Sequence, residues 1–152
     1  MNACQRHITI NLNVNSNTAS INTHQRIILF FAGLFGALSV ALAAAGAHAF
    51  YDRLAAHQQL LTFAKAVDYA MYGALALLAV VALSVLLSSK LLLISGYLLA
   101  LGTLLFSGSL FLSTLAGIEN ITKVTPIGGT LLIIAWLSVV IIAILPTGKQ
   151  QR

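Results

Sequence analysis

The residues with chemical potential in this chain are His48, Asp68, Tyr69, Ser107, Ser109, Thr125, Gly128 and Gly129. All lie in or beside long apolar stretches. An imidazole and a carboxylate are the pair that would hold or pass a proton. Ionisable groups close to a membrane core are functional candidates by default. Each also has a structural role to weigh. His48 suits an anchor where a helix leaves the bilayer. Asp68 suits the first turn of a helix, where its charge complements the dipole, and Lys65 stands three residues earlier as a partner on the same helix. That structural pair is the expected role. Ser107 and Ser109 flank Gly108, and their hydroxyls are expected to bond backbone carbonyls or another helix. Gly128-Gly129 weakens a helix, so close backbone approach is the natural reason for it. Tyr51, Tyr69, Tyr72 and Trp136 fit an interfacial belt or packing.

No catalytic constellation accompanies these residues. There is no Gly-x-Ser-x-Gly elbow, and Phe106-Ser107-Gly108-Ser109 lies inside an apolar run. His7, His24, His48 and His57 lack metal-ligand spacing, and Cys4 is the single cysteine. Neither a phosphate-binding loop nor a dinucleotide fingerprint is present. The expectation is a protein that is not an enzyme, with no metal and no cofactor.

The elements that would position these residues follow from composition. Of 152 residues, 59% are hydrophobic and 7% charged. A soluble domain carries about 45–50% apolar and about 25% charged residues, so that class is excluded, and disorder is excluded by the hydrophobicity. Four apolar stretches cover about 27–50, 67–87, 91–115 and 124–145. Each reaches the roughly 20 residues that a spanning helix needs. They must be helices because lipid offers the backbone no partners, and they lack the alternation of a barrel. The expected fold is all-α: an integral membrane bundle of four transmembrane helices in a domain over 26–148, behind a flexible polar tail over 1–25. In the tail Ile8, Ile10, Leu12 and Val14 alternate like a strand, but one strand alone is not stable. The first run ends in Ala47-His48-Ala49, a small-x-small pattern, yet its length exceeds the roughly 7–15 residues of a signal-peptide core.

Finer features refine this layout. From Leu54, the recurrence of Leu60, Leu61, Ala64 and Val67 predicts a short interfacial helix leading into the second span. Thr125 is expected to N-cap the fourth helix with Pro126 at its first position, and Pro146 and Gly148 to end it. Small residues recur four apart at Gly33, Ala37, Ala41 and Ala45, at Ala66, Ala70 and Ala74, and at Gly96 and Ala100. Such stripes let helices approach closely, within a compact bundle or in self-association.

Four spans put both termini on one side. The polar candidates gather at the opposite side, and the termini-side helix ends look plain. The net charge of +5 comes from single, non-adjacent cations, which argues against nucleic acid. Arg6, Arg26, Lys90, Lys149 and Arg152 share the termini side, against Arg53, Lys65 and Lys123 opposite. The positive-inside rule then places both termini in the cytoplasm.

In the segments Gly36-Ala37…Ala45-Gly46-Ala47-His48-Ala49, Leu105-Phe106-Ser107-Gly108-Ser109-Leu110 and Thr125-Pro126-Ile127-Gly128-Gly129…Trp136, the chain resembles the YgdD-like small inner-membrane proteins, a group with a domain of unknown function. The resemblance implies four transmembrane helices in a bacterial inner (plasma) membrane, and it implies no activity. The chain departs from the pattern at Tyr69-Ala70 and Gly73, where the family usually has Tyr-Gln and then a His, and in its Asn-rich tail. The leading expectation is a non-enzymatic accessory or assembly component. Its partners would be the lipid bilayer, a second copy or another membrane protein. The alternative is a small-solute or ion transporter with His48, Asp68, Ser107 and Thr125 as a polar pathway. A membrane enzyme using His48 and Asp68 as acid and base ranks last.

Overall fold

Asn22 starts the first helix. Its side chain accepts the Gln25 N–H at 3.0 Å, and the Gln25 side chain accepts the Asn22 N–H at 2.8 Å. This reciprocal capping box satisfies two helix-terminal donors, so helix α1 runs Thr23–Ala47 and begins ahead of the apolar run expected at 27. The computed structural model describes residues 21–87 and 89–144. Most of the expected polar tail, and the stop at Pro146 and Gly148, lie outside them.

A short helix α2, Tyr51–Ala56, follows α1. The chain then turns through Gln58, whose φ of 55° is left-handed, and helix α3 runs Leu60–Leu86. The expected interfacial helix is therefore divided. Its first part is α2, and residues from Leu60 onward belong to the spanning helix. No proline interrupts α3. Its 27 residues reach about 40 Å at 1.5 Å each, against a hydrocarbon core of about 30 Å. The turns bearing Lys65 and Asp68 can thus stand at the interface while the rest crosses.

Helix α4, Lys90–Ala116, ends at Gly117, whose φ of 69° is the left-handed conformation that glycine adopts without strain. The Arg53 guanidinium donates to the Leu115 carbonyl at 2.7 Å. A cation thereby meets the negative end of α4 and ties α2 to it. A 3₁₀ helix, Glu119–Val124, leads straight into helix α5, Thr125–Ile144. Thr125 is consequently not an N-cap. Its backbone is already helical (φ −54°, ψ −45°), and its N–H bonds the Thr122 carbonyl.

Among the described residues four helices are long and apolar enough to cross a membrane, the last counted from Asn120. The architecture is an all-α, multi-pass membrane bundle. Helix α4 is its centre, packed by α5 and α3 and, over a shorter length, by α1. Helix α1 packs mainly on α3. The core is built from Ile28, Ala32 and Phe35 of α1, Leu77 and Val80 of α3, Leu92 and Leu99 of α4, and Leu132 and Ala135 of α5.

The three small-residue stripes part company here. Ala66, Ala70 and Ala74 are buried, as are Gly96 and Ala100, so those stripes seat helices within the bundle. On α1 the buried stripe is Ile28, Ala32, Phe35 and Ser39 instead. Gly33, Ala37 and Ala41 are exposed, and open space lies beyond Gly33.

Candidate functional site

The seam between α4 and α5 holds three of the sequence candidates. Ser109 Oγ donates to the Phe106 carbonyl at 2.9 Å and lies 2.6 Å from Thr125 Oγ1. Either hydroxyl can donate that second bond, and Thr125 donates it where Ser109 keeps the carbonyl. The 3₁₀ entry to α5 leaves the Thr125 hydroxyl free for this cross-helix bond. One turn deeper, a methyl on Gly128 would stand 2.5 Å from the Phe106 backbone nitrogen. Only glycine permits that approach. Gly129 is different: a methyl there would meet the Phe106 ring at an ordinary 3.6 Å. Further along, Gly102 lies under Leu132.

Phe106 links this seam to α3. Its ring centroid is 4.6 Å from that of Tyr69, which is itself 5.9 Å from Tyr72. Helices α3 and α5 flank α4 without packing along each other. Between them lies a lateral groove of about 620 Å³ whose walls include Tyr69, Tyr72, Gly73, Phe106, Gly129 and Trp136.

The remaining candidates stand elsewhere. His48 is exposed at the end of α1, where its backbone N–H bonds the Ala45 carbonyl at 3.3 Å. Asp68 is exposed as well, and it borders a smaller recess with Tyr51 and Phe63. Among the described residues no ion pair joins Lys65 to Asp68, contrary to expectation. Both side chains are exposed, where such a pair gains little over hydration. Ser107 is buried, with no hydrogen-bond partner for its hydroxyl among the described residues. The same holds for Thr103, whose hydroxyl abuts Gly73. His48, Asp68, Ser107 and Thr125 thus share no hydrogen bond. Among the described residues no three His, Cys, Asp or Glu side chains are placed to hold a metal ion.

The termini-side half proves less plain than its composition suggests. Ser95 and Ser138 are buried with their hydroxyls 2.6 Å apart. Gln25 Nε2 donates to Ser84 Oγ at 2.9 Å, and His24 Nδ1 lies 2.8 Å from the Tyr97 hydroxyl. On the opposite side, beside Asp68, Ser39 donates to the Val67 carbonyl. These contacts join residues far apart in sequence, so local spacing does not reveal them. The one sequence signal on the termini side is the Asn22…Gln25 capping spacing.

A family model described as "Protein of unknown function (DUF423)" matches residues 42–129. The match takes in the end of α1, all of α2, α3 and α4, and the entry to α5. Comparison with the curated proteins and with the solved structures finds no match.

Proposed function

This chain belongs to the DUF423 family, whose function is unknown, and from that premise we propose that it is a non-enzymatic accessory or assembly component of its membrane. The observation that carries the reading is the outward face of α1. Gly33, Ala37 and Ala41 present three small residues spaced four apart to the bilayer, whereas the equivalent stripes of α3 and α4 are used inside the bundle. Helices in lipid associate through such surfaces by close packing. A partner helix, from another membrane protein or a second copy, is what this face would accept. The narrower YgdD-like resemblance and a bacterial inner membrane fit this reading, as does a cytoplasmic position for both termini.

Transport fits less well. The hydroxyls of Ser39, Ser84, Ser95, Ser109, Thr125 and Ser138 are engaged with neighbouring helices or carbonyls. His48 and Asp68 lie on the exposed surface and do not continue them into a path.

A photo-reactive residue at Ala37 or Ala41 tests the proposal in membranes. The expected outcome is one stoichiometric crosslinked partner or a dimer, abolished by Ala37→Leu. Recovery of only abundant bilayer neighbours sinks the proposal. So does proteoliposome flux that disappears in His48→Ala and Asp68→Asn, which establishes transport instead.

A further inference from the structure

We infer that the groove between α3 and α5 holds one acyl chain of an anionic phospholipid, with its headgroup at the Lys65 end. This goes beyond the accessory reading and does not depend on it, because it concerns a different face of the bundle.

The first argument is size. On α5 the walls run from Gly129 to Val140. At 1.5 Å per residue that is about 16 Å, roughly half the hydrocarbon thickness. The groove is open along its side, and its volume is about 620 Å³. A hydrocarbon chain one carbon wide fits, and the stiff faces of Tyr69, Tyr72, Phe106 and Trp136 are apolar partners for it.

The second argument is charge. Lys65, Tyr69, Tyr72 and Ala76 follow one another at spacings of four, three and four residues, so they share one face of α3. The lower three line the groove. Lys65 therefore stands one turn above its aromatic mouth, at the end of α3 that reaches the interface. Lys123 lies two residues before α5. Both lysines are exposed, and no ion pair joins Lys65 to Asp68. A phosphate at the membrane surface is a partner for such exposed ammonium groups. The chain attached to it then descends along Tyr69 and Tyr72 into the groove.

Trp136 is the only tryptophan of the chain and lines this groove, so its fluorescence reports what occupies it. The full chain is reconstituted in phosphatidylcholine vesicles. The quencher is a dibrominated acyl chain, carried either on phosphatidylglycerol or on phosphatidylcholine. Brominated phosphatidylglycerol is expected to half-quench Trp136 at a mole fraction roughly fivefold lower, the order of effect of one or two lysines at a membrane surface. In the double variant Lys65→Gln/Lys123→Gln the two curves are expected to coincide. Both positions are exposed, so this variant should fold. Coincident curves in the natural sequence overturn the proposal. So does a Trp136 that no brominated chain reaches while Ile133→Cys forms disulfides between copies, because a second copy then fills the groove.

Discussion

Helix α5 has two inward-looking sides that are built in opposite ways. Against α4 it closes completely: Gly128 lies on the Phe106 backbone, and hydroxyl pairs join the helices at Thr125–Ser109 and Ser138–Ser95. Toward α3 it leaves a groove walled by aromatic rings. Both sides use the same residue types, small residues and rings, and even the same residue, Phe106. The difference lies in what stands opposite. Gly128 faces a backbone and allows contact, whereas Gly129 faces a ring edge with room to spare. Closure of a helix pair in lipid thus depends on a few positions where the backbones can touch.

Gly128→Ala is the strongest way to break the closed side. The added methyl meets backbone atoms of Phe106 at 2.5 and 2.9 Å, and a helix backbone cannot move aside as a side chain does. Overpacking of this kind costs about 1–3 kcal/mol, and the upper end is expected here. Gly129→Ala, one residue on, meets only ordinary contacts and should change stability by less than about 0.5 kcal/mol. Reversible unfolding in mixed detergent micelles measures both. Equal losses at the two positions would mean that α5 does not sit on α4 as described.

The hydroxyl pair at the end of this seam gives a smaller, asymmetric effect. Ser109→Ala leaves the Thr125 hydroxyl without its acceptor. Thr125→Val leaves Ser109 still donating to the Phe106 carbonyl. Hydrogen bonds between membrane helices contribute about 0.6 kcal/mol on average and at most about 1.7. Ser109→Ala should fall in the upper part of that range and Thr125→Val near its bottom. The same unfolding assay ranks them, and the reverse order would show that Ser109 is the donor to Thr125.

The closed seam and the open groove were not equally legible in the sequence. Four spans follow from apolar runs alone, because length and composition decide what crosses a bilayer. Close approach at Gly128-Gly129 was legible as a class, since a glycine pair in a helix calls for a reason. Which of the two made the contact was not, because that depends on the rotation of α5 about its axis. Ser95 and Ser138, 43 residues apart, become partners only once the helices are in register. The groove was hidden for the same reason: it exists because α3 and α5 both choose α4. Thr125 has the side chain of an N-cap, but the 3₁₀ helix before it makes its backbone helical already. The α1 stripe was plain in spacing, but nothing local says whether a stripe looks inward.

The groove side yields the next measurement. Trp136 is 55% exposed and supports no other described ring. Trp136→Leu removes a wall of the groove while keeping an apolar surface toward lipid. Stability in detergent should fall by less than about 1 kcal/mol, well below the 3–5 typical of a buried tryptophan truncated to alanine. A loss in that larger range would mean that Trp136 belongs to the core and the groove is closed.

The smallest effect is expected at a buried hydroxyl. Ser107 is 3% exposed, with no partner for its hydroxyl among the described residues. An unmade buried hydrogen bond destabilises by roughly 1–3 kcal/mol, so deleting the group removes that penalty along with a few packing contacts. The two terms oppose each other, and Ser107→Ala should lie within about 0.5 kcal/mol of the natural sequence, or be slightly stabilising. Ser109→Ala, half a turn away on the same helix, removes the same atoms from a hydroxyl that is engaged. A Ser107→Ala loss as large as that of Ser109→Ala would establish that the Ser107 hydroxyl has a partner in the membrane, and that the bundle interior is more polar than its hydrogen bonds indicate.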